Sequence, residues 1–420
     1  MNSHELTTRP EEAVYRSCFT PTSLSDMLMD VARRGKIRRL PIPQLLFGMA
    51  ELTDSELAAL MPQITEEQWR GVLDLTLWRR DRTSSTDFLH WLRHLLEAEE
   101  AVARKLLRGS DPELWQLAFN RLLEIVPRDE DEEDTGADLP EGDWIMTPDG
   151  GFWVRLPDQP EASRLIRPLL LKLFELDPVQ TAYILLLCKS RTASELEETA
   201  YQNRRRRIED LGFQDYFEAI SVYSPLALKD TLPDKIWQSP PEGGVTVTAL
   251  DRPGHDVFLF KALSRVKDPT RKEELLEELF YVSNKVLSAD LVSPDHPSKV
   301  KVGIRKTILG ISIGLEFAAA SDVDLAVQLI QTRYLQSFFQ LAFAQLLELQ
   351  KLGRELSNTL AAPPDSYASQ LVQGLLRKYP LLAVRTPTRI KKRFFRTRAD
   401  IDSCRRILES LRQSREGSAS

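Results

Sequence analysis

The sequence predicts a mainly α protein: an N-terminal stack of short helices resembling an α-solenoid, a small β-hairpin insertion, and a larger helical C-terminal half. Three observations predict it. Leu, Glu, Arg and Ala recur at helical spacing along most of the 420 residues. Gly is sparse at 18 residues, which disfavours glycine-rich nucleotide loops and β-sandwiches. Capping residues stand ahead of the apolar runs, where helices begin.

The first region is residues 1–127. "LTDSELAALMPQITEEQWRGVLDLTLW" shows its grammar: Thr53 or Asp54 caps one helix, and Thr65 with Glu67 opens the next. "SSTDFLHWLRHLLEAEE" and "DPELWQLAFNRLLEI" continue the series at a spacing of roughly 20–30 residues, without a strict repeat. Residues 128–142 are acidic and poor in apolar side chains, so they read as a solvated linker. Residues 143–290 form the third region. It opens on "DWIMTPDGGFWVRLPD", where Asp149-Gly150-Gly151 between two β-prone runs predicts a hairpin. Helices follow to about Ala227. The Pro- and Gly-rich stretch up to Asp256 reads as a long loop, with one short strand at "VTVTAL". Long helices then dominate, and residues 291–420 end in a basic tail and a last amphipathic helix, "ADIDSCRRILESLRQS".

Cys18, Cys188 and Cys404 each stand alone. That excludes a zinc ribbon and argues against a disulfide framework, so a reducing cytoplasm is the expected setting. The N-terminus has no apolar signal core. The longest apolar run, "TILGISIGLEFAAA", carries Glu316 and is too short to span a bilayer. A net charge of −6 argues against generic polyanion binding by the whole molecule.

The most conspicuous motif is "SELEETAYQNRRRRIEDLGF", residues 194–213, four arginines behind three glutamates. On a helical wheel Leu196, Ala200, Tyr201, Ile208 and Leu211 share one face, and Arg205, Glu198 and Glu209 lie opposite. Glu197, Arg204 and Arg207 fall on the apolar face. Charges there must be paired, in an ion network tying two helices together or in an anion-recognising pocket. Arg204 is the arginine expected to be buried against an acidic side chain.

This segment, continued through "QDYFEAISVYSPL", resembles the signature of an uncharacterised bacterial, mostly α-helical protein family, a domain of unknown function. "LLFGMAELTDSELAALMPQITEEQWRGVLDLTLWRRDR", "ILGISIGLEFAAA" and "KKRFFRTRADID" resemble further blocks of that family in the same order, over most of the chain from about residue 40 to residue 407. The N-terminal part is also similar, more weakly, to the helical N-terminal domain of bacterial magnesium transporters. It lacks their membrane part, so transport does not carry over. The resemblance implies a cytoplasmic, helical, bacterial protein and brings no activity and no catalytic residues.

Other constellations are less specific. His90 and His94 stand one helical turn apart, with Asp87 and Glu97 on the same stripe, a weak metal candidate facing away from the core. Arg305, Leu309, Ser312 and Glu316 align on one helix, where Glu316 sits among apolar neighbours and either keeps its proton or finds an inter-helix cation, with an acid/base role as the lesser reading. Gly310 and Gly314 on another side would let a neighbouring helix approach closely. "DRPGHD" places His255 between carboxylates in a turn. No Walker loop, G-x-S-x-G, H-E-x-x-H or dinucleotide fingerprint occurs, so no catalytic residue is nominated and no cofactor is expected.

Residues 377–420 hold thirteen Lys and Arg against four Asp and Glu, a charge of +9 that leaves −15 on the remainder. Within them "RIKKRFFRTR" interleaves Phe394 and Phe395 with Lys391, Lys392, Arg393, Arg396 and Arg398. Either the cations meet the acidic body of the chain or a protein partner while the rings enter the core, or the rings stack bases while the cations meet phosphates. An anionic membrane surface is a further recipient. The leading expectation is a non-enzymatic interaction or scaffold protein with a protein partner. The alternative is a nucleic-acid-associated protein using the basic tail, and the third is an enzyme of unfamiliar type with a site between the halves.

Overall fold

The computed structural model describes residues 24–128, 139–190, 192–228, 230–235, 257–293, 296–357, 363 and 365–416. The centre of the acidic stretch, "VTVTAL", His255 and Cys18 lie outside them. Among the described residues the fold is mainly helical, with eighteen α-helices and small antiparallel sheets. The described residues form two compact units, one within Thr22–Tyr216 and Leu291–Pro297, the other within Phe217–Asp290 and Ser298–Ser420.

The first unit carries α1 (Leu24–Arg33), α2 (Ile42–Met49), α3 (Asp54–Leu60), α4 (Glu66–Thr76), β1 (Trp78–Arg79), β2 (Arg82–Thr83), α5 (Ser85–Glu97), α6 (Glu100–Gly109) and α7 (Pro112–Leu122). It continues with β3 (Glu124–Pro127), β4 (Trp144–Met146), β5 (Phe152–Arg155), α8 (Pro160–Leu176), α9 (Pro178–Ser190) and α10 (Ala193–Asp210). Capping boxes start several of these helices. Thr53 pairs reciprocally with Glu56 ahead of α3. Thr65 pairs with Gln68 ahead of α4, not with Glu67, because the reciprocal bond needs the third helical residue. Thr192 pairs with Glu195 ahead of α10. The cores of these helices meet in one apolar cluster that includes Ile37, Val72, Leu106, Phe119 and Ile166, all fully buried. Trp69 meets Trp91 edge to face, as Phe88 meets Trp115, each pair with ring centroids 5.4 Å apart.

The hairpin forms where Asp149-Gly150-Gly151 predicts it. Ile145 faces Val154 and Met146 faces Trp153. Gly150 takes a φ of 73°, which costs glycine little. The Asp149 carboxylate holds the turn by accepting from Thr147 Oγ1 at 2.6 Å and from the Gly151 N–H at 3.2 Å. The sheet is wider than a hairpin, because β3 pairs antiparallel with β5. Strands from before and after the acidic stretch thus share one sheet, and Ile125, Phe152 and Val154 enter the same core.

The second unit carries α11 (Tyr216–Ala219), α12 (Phe258–Ser264), α13 (Pro269–Ala289), α14 (Pro297–Ala318), α15 (Val323–Thr332), α16 (Leu335–Ser357), α17 (Tyr367–Leu375), β6 (Leu382–Arg385), β7 (Ile390–Arg393) and α18 (Arg398–Glu416). A Cβ on Gly314 would stand 1.8 Å from the Phe338 carbonyl oxygen, and one on Gly310 would stand 2.6 Å from the Phe339 ring. These two glycines let α14 and α16 approach as their positions in the sequence imply. The basic tail contains an antiparallel hairpin that the sequence reading did not identify, with Leu382 facing Arg393 and Val384 facing Lys391. Its cations disguise the period-2 pattern: β6 buries Leu382 and Ala383, whereas β7 contributes only the partly buried Ile390 beside three cations.

Candidate functional site

In the first unit α10 packs against α4 and α7. Leu196, Ala200 and Ile208 are buried, as the wheel places them. Arg207 meets Asp74 in two parallel hydrogen bonds, Nε to Oδ2 at 2.6 Å and a terminal nitrogen to Oδ1 at 2.9 Å. It also reaches Asp111 at 2.5 Å. Asp111 in turn receives Arg70 at 3.3 Å. Burial pushes the Asp74 carboxyl above its ordinary range, and the hydrogen bonds from Arg207 oppose it. Glu197 accepts from Arg121 at 2.6 Å, and Arg121 also donates to the Thr83 hydroxyl at 2.7 Å.

Arg204 is desolvated beside the acidic side chains of Asp74 and Asp215, but its direct hydrogen bond is not to a carboxylate. Its Nε donates to the Asp74 backbone carbonyl at 2.7 Å, and its guanidinium lies over Trp78 at 5.3 Å. The carboxylate itself is taken by Arg207, so Arg207 and not Arg204 makes the direct acidic pair. Arg205, on the opposite face, pairs with Glu209 at 3.3 Å along the helix. Glu197, Arg204 and Arg207 are therefore brought to the same side of α10 but spread over different partners. Each serves as a strut between elements of the first unit.

The histidine stripe is also redistributed. Asp87 pairs with Arg79 at 2.8 Å. His90 and Glu97 are exposed, whereas His94 is 4% exposed and faces the core, not the solvent. Its ring leans on Trp91 and stands edge-on to His90. Burial, reinforced by His90, depresses its pKa. Among the described residues no His, Cys, Asp and Glu group is placed to hold a metal ion.

A feature that sequence reasoning passed over lies on α9. Its inward face is Thr181, Ile184, Leu185 and Cys188, all buried. Asn120 on α7 donates to the Cys188 carbonyl at 2.7 Å, and the Cys188 thiol donates to the Gln116 carbonyl at 3.3 Å. The outward face is just as apolar. Val179 is 79% exposed, Tyr183 57% and Leu186 51%, and they stand at i, i+4 and i+7. A helix that is apolar all round belongs in an interior, whereas a surface helix carries polar residues outside. The signal was visible as "PVQTAYILLLCKS", which has no acidic residue and a single basic one, Lys189.

In the second unit the tightest constellation is Tyr223, Asp290 and Lys306. Lys306 is 5% exposed and donates to the Asp290 carboxylate and, at 2.5 Å, to the Tyr223 hydroxyl. Tyr223 donates to the other Asp290 oxygen at 2.8 Å. The ammonium also stands over the Tyr223 and Tyr379 rings, at 5.2 and 5.1 Å. Burial depresses the Lys306 pKa while Asp290 opposes it, and burial together with Asp290 raises that of Tyr223. The three groups bond to one another and hold a charged pair in the core. These residues are separated by long stretches of chain, and nothing local in the sequence could have joined them.

Glu316 accepts from the Arg398 N–H at 2.7 Å, the first residue of α18. It thus caps that helix from α14, where a negative charge complements the helix dipole. The Arg398 side chain lies over Phe317 at 5.0 Å and pairs with Asp402 at 3.5 Å. Arg393 meets Asp400 in two bonds of 2.8 and 2.9 Å. Lys392 donates to Gln373 at 3.3 Å. Phe395 is 2% exposed in the core, and Phe394 stands edge-on to Tyr379. Lys391 and Arg396 are exposed.

The chain belongs to a family described as "Family of unknown function (DUF6178)", whose model matches residues 23–416. No curated protein and no solved structure matches. The resemblance to the magnesium-transporter domain is not among these findings.

Proposed function

We propose that this chain is a non-enzymatic interaction protein, and that it docks an apolar helix of a protein partner on the outward face of α9. The observation that carries this reading is the row Val179, Tyr183 and Leu186, three large exposed apolar side chains in line on a helix whose other face is already buried. The row is about 10 Å long at 1.5 Å per residue, a length that a ridge on a second helix matches. It bears no charge, so the occupant is uncharged along the contact. Leu171 on α8, 46% exposed, adds to the apolar surface of this unit. Burial pushes Cys188 and Cys404 up to about 12, which leaves both as inert thiols. The setting we assign is a reducing cytoplasm. No helix among the described residues is long and apolar enough to cross a membrane.

Photo-crosslinking residues at positions 183 and 186, compared with one at the exposed Glu175, test the reading in cells that make the protein. A discrete adduct from 183 and 186 and none from 175 is expected. The same background from all three positions, or no adduct at all, overturns it.

A further inference from the structure

The hairpin β6–β7 carries a second interaction surface of opposite character. Arg377, Lys378, Arg385, Arg389, Lys391 and Arg396 lie on the hairpin or within a few residues of it, and all six are exposed. Between Arg377 and Arg398 the sequence has no acidic residue. The carboxylates of α18 and α16 near in sequence or packing are committed elsewhere. Asp400 takes Arg393, Asp402 takes Arg398, and Glu348 takes Arg405. Among the described residues no ion pair forms to any of the six. One of them, Arg385, stacks on Tyr367 at 4.9 Å, which orders it without neutralising it. Six unneutralised cations on and beside one small hairpin attract a polyanion.

The arrangement discriminates between polyanions. Binding single strands by stacking needs exposed aromatic rings. Phe395 is in the core and Phe394 is packed against Tyr379, so the two rings of the tail offer no such platform. Holding a membrane needs an apolar insertion besides the charge, and β6 turns Leu382 and Ala383 inward. What remains is a two-stranded ribbon about 13 Å long at ~3.3 Å per residue, with cations at its base and at its tip. With Leu382 and Ala383 both buried at its base, the ribbon does not enter a groove; its exposed cations meet the phosphates that line one. We infer that the β6–β7 hairpin binds the phosphate backbone of duplex nucleic acid, with little preference for sequence.

Fluorescence anisotropy of the full chain tests this with three probes: a labelled random 20-base-pair duplex, one of its strands alone, and vesicles containing phosphatidylserine. The proteins are wild type, R389E/K391E, R377E/K378E and K391R, with melting temperatures measured to confirm intact folds. The duplex is expected to bind at 50 mM salt and to weaken at least tenfold by 200 mM, as counterion release requires. Each double reversal should weaken it by about tenfold or more and lower the salt slope by about two, while K391R keeps the wild-type affinity. No duplex binding at 50 mM salt, reversals that leave affinity unchanged, a single strand held more tightly than the duplex, or vesicles held in its place would each overturn the inference.

Discussion

α9 and α10 follow one another in the chain and both pack on α7, yet they teach opposite lessons. α10 has the louder sequence, four arginines in a row, and its inward charges are consumed inside its own unit. Arg207 is held by Asp74 and Asp111, and Glu197 by Arg121. α9 has the quieter sequence, an apolar run, and among the described residues its outward face is left exposed. Charge on the inner side of a helix is costly to bury alone, so the fold brings it a partner. Apolar surface is tolerated on the outside, and so it is the part left over for another molecule.

The sharpest break in this comparison is Arg207→Ala. It strands Asp74, 6% exposed at its side chain, and should destabilise by about 3 kcal/mol in chemical denaturation. On α9 the matching inward change is Leu185→Ala, with an expected loss of about 2–3 kcal/mol. Arg204→Ala removes one hydrogen bond to a backbone carbonyl, a cation–π contact and a cation beside Asp74 and Asp215, and about 1–2 kcal/mol is expected. If Arg204→Ala proves costlier than Arg207→Ala, the division of labour on α10 is the reverse of the geometry.

A pH series probes His94, a buried titrating group of the first unit. Burial depresses the His94 pKa, so the unfolded chain takes up a proton at a higher pH than the folded one. Its contribution to stability is present above about 6.5, the unfolded value, and is lost as pH falls through the lower folded value. The melting temperature of wild type should therefore fall more steeply from pH 7.5 to 5.5 than that of His94→Gln. Parallel curves would remove His94 as the cause. The smallest effect belongs to Arg205→Ala, whose pair with Glu209 is exposed along the helix, and it should stay within about 0.5 kcal/mol.

Much of the fold was legible because its signals are local. Thr53, Thr65 and Thr192 stand where helices start, and Asp149-Gly150-Gly151 turns the hairpin by its own carboxylate and a positive φ. Gly310 and Gly314 announced a close helix approach because only a missing Cβ permits it. The misses share a cause of a different kind. Gln68 displaced Glu67 in its cap by one position of helical geometry. His94 was read outward because a wheel knows a helix's periodicity but not which neighbours cover its flanks, here Trp91. Tyr223, Asp290 and Lys306 meet only through the tertiary fold. The β6–β7 hairpin was hidden because three of the four residues of β7 are cations, and strand propensity was overridden by packing of β6. The α9 face was legible in principle: a run with almost no polar residues forbids an ordinary surface helix.

The measurement that bears most directly on α9 is co-purification at matched stability. The double variant Tyr183→Asp with Leu186→Asp changes only outward side chains, so its melting temperature should equal that of wild type within about a degree or two. Full-length wild type and variant are then isolated from the same cells at physiological and at high salt. A stoichiometric protein that stays with wild type at both salts and is lost from the folded variant is the expected result, since apolar docking is insensitive to screening. A folded variant that keeps the same protein at both salts would contradict α9 as the docking face.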